Sequence, residues 1–169
     1  FINMLDYVII TSILVVIAST LLFYIWLKRN NFSSNICLLI SFLFLCSGPL
    51  IFQSHRQIMF INYIPFLILG LIGIDDYYNR KKSLLLIIST FLMIMTSYYF
   101  SVGGIFAFGV YGIYKYLKSE PKSSLKSLLW AMIKLAVPII TGVFMSGILL
   151  LPTFSAVLNG RSGAGDSKG

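Results

Sequence analysis

Apolar residues run through this chain in long unbroken stretches divided by short polar and basic clusters, with no sustained alternation of the kind a half-buried strand would show. Residues 7–27 are 21 uncharged positions. As a helix at about 1.5 Å per residue they reach roughly 31 Å, which matches a hydrocarbon core of about 30 Å. Lys28, Arg29, Asn30 and Asn31 close that stretch, and apolar character resumes until His55 and Arg56. A third run, with Pro65 inside it, ends at Asp75, Asp76 and the cluster Arg80, Lys81, Lys82. Residues 83–114 are uncharged for 32 positions, about 48 Å as one helix, which overshoots the core unless steeply tilted. Two shorter spans meeting near Phe100, Ser101, Val102, Gly103 and Gly104 fit better. The last run carries one charge, Lys134, able to snorkel back to the interface, and Pro138 one turn further along. The pattern predicts an all-α fold, a polytopic transmembrane helical bundle of about six spans at 7–27, 33–53, 57–74, 83–99, 103–118 and 128–151. An extracytoplasmic loop or tail is expected over 152–169.

Composition strengthens this reading. Of 169 residues, 58% are apolar and 11% charged, with a mean hydropathy of +0.91, whereas a soluble domain carries about 25% charge. The net charge of +8 would suit nucleic acid if it formed one stripe, but the cations fall in short clusters between apolar runs, so no nucleic-acid partner is expected. Nine of the 13 basic residues, Lys28, Arg29, Arg80, Lys81, Lys82, Lys115, Lys118, Lys122 and Lys126, fall on one side of a six-span topology. Arg56, Arg161 and Lys168 fall on the other, which puts the start of the chain outside the cell. The first span is too long for a signal peptide and follows Asp6 rather than a basic flank. A start at Phe1 and a Gly/Ser-rich end read as a piece of a longer protein. Cys37 and Cys46 lie in one apolar run and offer neither a disulfide framework nor a zinc site.

Candidate chemistry is sparse. His55 and Arg56 form the single His and the single cation of the short outer loop between the second and third spans. An imidazole and a forked guanidinium at headgroup level suit the phosphate of a lipid-linked substrate, against the simpler role of anchoring a helix end. Arg161 follows the exit of the last span on the same side. Tyr98, Tyr99 and Phe100 could stack on a sugar ring, although an aromatic belt occupies this depth in most membrane proteins. Asp6 reads as a helix cap rather than a general base. Asp75 and Asp76 read as interfacial ion pairs with Arg80, Lys81 and Lys82, and Glu120 reads likewise between Lys118 and Lys122. The glycine spacing of 160–167 imitates a phosphate-binding loop, but Asp166 stands where the lysine belongs and no strand precedes it. Gly103/Ala107 and Gly142/Ser146 are small-residue spacings that allow close helix packing within the bundle.

The order of several short motifs carries a resemblance. Ser47-Gly48, Ser54-His55-Arg56 and Tyr63-Ile64-Pro65-Phe66-Leu67-Ile68-Leu69-Gly70 are followed by Thr96-Ser97-Tyr98-Tyr99-Phe100, by Gly104-Ile105-Phe106, and by Leu150-Leu151-Pro152-Thr153 with Arg161 beyond. In that order and spacing the chain resembles the YfhO-type bacterial membrane proteins over nearly its whole length, and would form a minor part of a family chain. The resemblance implies a GT-C-like glycosyltransferase that takes sugar from a polyprenyl-phosphate donor on the outer face and decorates a cell-surface polymer such as teichoic acid. It implies that His55, Arg56 and Arg161 bind the lipid phosphate and that Tyr98 and Tyr99 line the sugar or prenyl path. In enzymes of that architecture the catalytic carboxylate lies on the first large outer loop, which would precede Phe1, so no catalytic residue is assigned within these residues. No cofactor is identified, and no motif supports a divalent metal. A flippase or transporter of lipid-linked saccharides needs the same outer cations without a carboxylate, and a non-enzymatic assembly subunit needs neither; both stay open.

Overall fold

A computed structural model describes residues 4–47, 58–120 and 124–162. Among these the chain is helical throughout its regular structure, with no strand. The helices are α1 (Met4–Arg29), α2 (Ser34–Leu45), α3 (Ile58–Arg80), α4 (Leu84–Thr96), α5 (Tyr98–Ser119) and α6 (Leu125–Ser162).

Successive helices reverse direction, and the cross-helix contacts fix how. Phe23 of α1 stacks on Phe44 of α2 at 4.6 Å between ring centroids, so the pair folds back about the turn at Asn30 and Asn31. Asn31 adopts φ 65° and Lys81, in the turn after α3, φ 58°; this left-handed conformation commonly ends helices. Along α3 and α5, Tyr63 stacks on Phe100, Gly70 meets Phe108 and Asp75 meets Tyr111, a parallel register. The odd-numbered helices therefore run one way and the even-numbered ones return. One end of the bundle collects Lys28, Arg29, Arg80, Lys81, Lys82, Lys115, Lys118 and Lys126; the opposite end holds the turn between α4 and α5.

Close packing is made by small residues. A Cβ on Gly73 would stand 2.8 Å from the backbone nitrogen of Leu86, and one on Gly142 would stand 2.8 Å from the carbonyl oxygen of Ile87. On α5 the buried positions Ser101, Gly104, Phe108, Gly112 and Tyr116 recur every three or four residues, which makes one face. Gly104 lies under Met93 and Gly112 against Leu135. Gly142 and Ser146 are buried as the spacing predicts, whereas Gly103 is exposed and a Cβ there meets nothing within 4 Å. The helix-packing glycine is the next residue, because the α5 face is set by Phe108 and its neighbours three and four positions away. Several buried hydroxyls are satisfied within their own helices: Ser19 donates to the Val15 carbonyl at 2.7 Å, Thr90 to Leu86 at 2.8 Å and Ser146 to Val143 at 2.7 Å.

The outer surface is the reverse. Ile10, Ile13, Leu14, Ile17, Leu21 and Ile25 of α1 are exposed, as are Leu129, Ile133, Val137, Phe144 and Ile148 of α6. The interior holds a large apolar core of Ile61, Ile74, Leu86, Met93, Phe108 and Leu135 beside its small and hydroxylated residues, while the many large apolar side chains left outside suit helices packed in lipid.

Several boundaries differ from the sequence reading. Two helices, over Ile9–Arg29 and Leu125–Ile148, are long and apolar enough to cross a membrane. Over their described lengths, α2 with 12 residues and α4 with 13 reach only about 18–20 Å. Helix α3 runs six residues beyond the expected end at 74, and carries Asp75, Asp76 and Arg80 in its last turns. The expected division of 83–114 is present, but it falls at Ser97, where the backbone is extended at φ −159° and ψ 99°, ahead of the glycines. Gly103 and Gly104 are absorbed into α5 because Gly104 admits Met93. Helix α6 continues to Ser162, so the first eleven positions of the expected tail are helical; only Gly160 among 153–160 strongly disfavours a helix interior.

Candidate functional site

The outer-facing candidates divide by what the structure describes. His55 and Arg56 lie outside the described residues, between α2 and α3 in the chain. Arg161 belongs to the last turn of α6, and its side chain is likewise outside the description. Asp6 is the third residue of α1, again without a described side chain. Tyr98 and Tyr99 open α5 and are 74% and 73% exposed. They line an open groove of about 530 Å³ with Tyr63, Phe100, Val102 and Gly103, at the end of the bundle away from the basic clusters. Phe100 is the hub: it stacks on Tyr63 at 5.7 Å and meets Tyr99 edge-on at 5.3 Å. Ser97 makes this arrangement, since its extended backbone lets α5 restart and throw two tyrosines outward while Ser101 turns inward, its hydroxyl on the Tyr98 carbonyl at 2.6 Å. Such a surface offers aromatic faces to a sugar or prenyl chain.

The most elaborate polar arrangement is at the opposite end. The Asp75 carboxylate, buried at 3% exposure, accepts the Lys115 ammonium at 2.6 Å and the Tyr111 hydroxyl at 2.8 Å on the same oxygen. Its other oxygen accepts the Asn30 amide at 3.4 Å. Lys115 also donates to the Asn30 side-chain oxygen at 2.9 Å, and Asn30 in turn donates to the Trp26 carbonyl at 2.9 Å. One network thus ties together α1, α3 and α5. Asp76, next along α3, points to the surface and meets Arg29 at 3.1 Å and Arg80 at 3.8 Å. Nearby, burial pushes the Tyr78 hydroxyl up to about 12, with smaller contributions from Tyr77 and Tyr116, so it stays a neutral phenol.

This corrects the reading of the paired carboxylates. Asp76 does pair with Arg80, but Asp75 turns inward to a lysine 40 positions away. Successive residues on a helix point about 100° apart, so the two cannot share one partner face. Glu120 accepts the Tyr116 hydroxyl at 3.0 Å, and among the described residues no lysine pairs with it; Lys122 lies outside them. The sequence did hold a signal for the network, since Tyr111 and Lys115 share a helix face at i and i+4, but nothing in their spacing names Asp75 or Asn30 as partners. Among the described residues no group of three or more metal-binding side chains converges.

The family model for the bacterial membrane protein YfhO matches residues 1–168. The chain belongs to that family. No curated protein and no solved structure matches it. Membership in YfhO, with two helices of membrane-crossing length and apolarity, places the chain in the membrane.

Proposed function

We propose that this YfhO chain forms the six-span membrane part of a GT-C-like glycosyltransferase. Its basic end faces the cytoplasm, and it moves a sugar from a polyprenyl-phosphate donor to a cell-surface polymer such as teichoic acid on the other side. The observation that carries the reading is the two-sidedness of the bundle. The cations cluster at one end, as the cytoplasmic side of a membrane protein requires, and the Tyr63, Tyr98, Tyr99 and Phe100 groove opens at the other. In the sequence His55 and Arg56 fall between the finish of α2 and the start of α3, and this reading assigns them to that same end. In this reading Arg56 and Arg161 neutralise the departing lipid phosphate, His55 assists by hydrogen bonding, and Tyr98 and Tyr99 guide the sugar or prenyl chain. The base that activates the acceptor hydroxyl is not assigned to any residue of 1–169.

The test is transfer of labelled sugar from polyprenyl-phosphate donors by the full-length parent in membranes. Arg56→Ala should lower the rate about 10²-fold or more at unchanged membrane level, the scale of losing one group that stabilises developing charge. His55→Ala and the double variant Tyr98→Ala/Tyr99→Ala should lower it less. Wild-type membranes that transfer nothing across a donor panel would overturn the reading in favour of a carrier of lipid-linked saccharides.

A further inference from the structure

The beginning of α6 carries a second surface. Lys126, Trp130 and Lys134 recur every four residues and so share one side of the helix; Trp130 is 59% exposed and both lysines are exposed. Lys126 and Trp130, with Ser124, Ser127, Leu129 and Ile133, border an open groove of about 560 Å³ in which apolar surface dominates. Among the described residues no carboxylate pairs with either lysine. Lys134 lies eight residues beyond Lys126, roughly 12 Å along the axis, within the segment long and apolar enough to cross the membrane. Its ammonium stands 5.5 Å from the centre of the Trp130 ring, one turn back toward the basic end. A cation at that depth on a lipid-facing surface is costly unless it reaches an anion, and here the indole steers it toward Lys126.

We propose that this face of α6 binds an anionic phospholipid, the phosphate held between Lys126 and Lys134 and an acyl chain laid along Leu129 and Ile133 beside Trp130. The charge is complementary, since two ammonium groups with no carboxylate partner among the described residues meet one phosphodiester. The groove supplies apolar contact that a free phosphate could not use, and interfacial indoles favour this depth. The site is separate from the aromatic groove at the other end, so it stands or falls independently of sugar transfer.

The full-length protein in nanodiscs answers this by native mass spectrometry of retained lipid, titrating phosphatidylglycerol against phosphatidylcholine, with glycerol phosphate as a competitor. Wild type should retain phosphatidylglycerol in preference. Each of Lys126→Gln and Lys134→Gln should weaken retention about five-fold and the double variant about thirty-fold, on the scale of one lysine near an anionic surface. Lys126→Arg/Lys134→Arg should keep it, which separates lost charge from lost folding. Trp130→Leu should weaken it without changing the preference for the anionic headgroup. Equal retention by wild type and the double Gln variant, or displacement by glycerol phosphate at matched concentration, would overturn the proposal.

Discussion

At the scale of single residues, Asp75 and Asp76 show how neighbours in sequence acquire different tasks. Asp76 meets Arg29, whose side chain is 41% exposed, and surface pairs of this kind contribute at most about 1 kcal/mol. Asp75 and Lys115 are withdrawn from solvent, with side-chain exposures of 4% and 14%. Removing one member strands the other charge, which costs about 3–5 kcal/mol. Asp75→Asn and Lys115→Met should each lower the thermal unfolding midpoint in detergent clearly, while Arg29→Gln should leave it almost unchanged. The double variant Asp75→Asn/Lys115→Met should lose less than the sum of the two singles, and strict additivity would refute the coupling.

The glycines divide in the same way. Gly73→Ala places a methyl group against the backbone of Leu86, which cannot rotate aside, so it should destabilise by about 1–3 kcal/mol as an overpacked contact does. Gly103→Ala meets open space and should be tolerated. Equal midpoints for the two variants would show that the α3 and α4 contact is looser than described.

At the scale of elements, the decisive feature is the interruption at Ser97. A single helix from residue 84 to 119 would carry Arg80 and Lys118 to opposite ends, whereas α4 and α5 as a hairpin return both to the same end. The division was legible from charge and length, because 32 uncharged residues are too many for one span and a basic cluster follows on each side. Its position was not legible. Glycines draw attention as turn residues, yet these lie inside α5, and the break falls at a serine with an extended backbone, beyond which α5 folds back to set Gly104 against Met93. With Cys37 and Cys46 replaced by Ser, Tyr99→Cys should react with a membrane-impermeant maleimide on intact cells, and Lys118→Cys only after permeabilisation. The reverse pattern would invert the proposed orientation.

At the scale of the whole molecule, the described residues are ordered from inside by an apolar core around Phe108, Met93 and Leu86, by small residues at close helix approaches and by the Asp75 and Lys115 network, and carry many large apolar side chains outside. The network tethers the basic ends of α1, α3 and α5, while Gly70 against Phe108 and Tyr63 against Phe100 continue the α3 and α5 register to the aromatic groove. A disturbance at Asp75 therefore acts along the same two helices that build the groove.

The sequence by itself determined the helical class, the apolar runs, the clusters of cations that give the bundle two unlike ends, and the family. The first three follow from composition and from periods of a few residues, which local chemistry dictates, and the family from the order of short motifs along the chain. Tertiary structure alone decided that Asp75 turns to Lys115 and Asn30, that Gly104 rather than Gly103 is the packing position, and that the chain breaks at Ser97. Those outcomes depend on how far one helix slides and rotates against another, and that register is set by side chains distant in sequence meeting across the bundle.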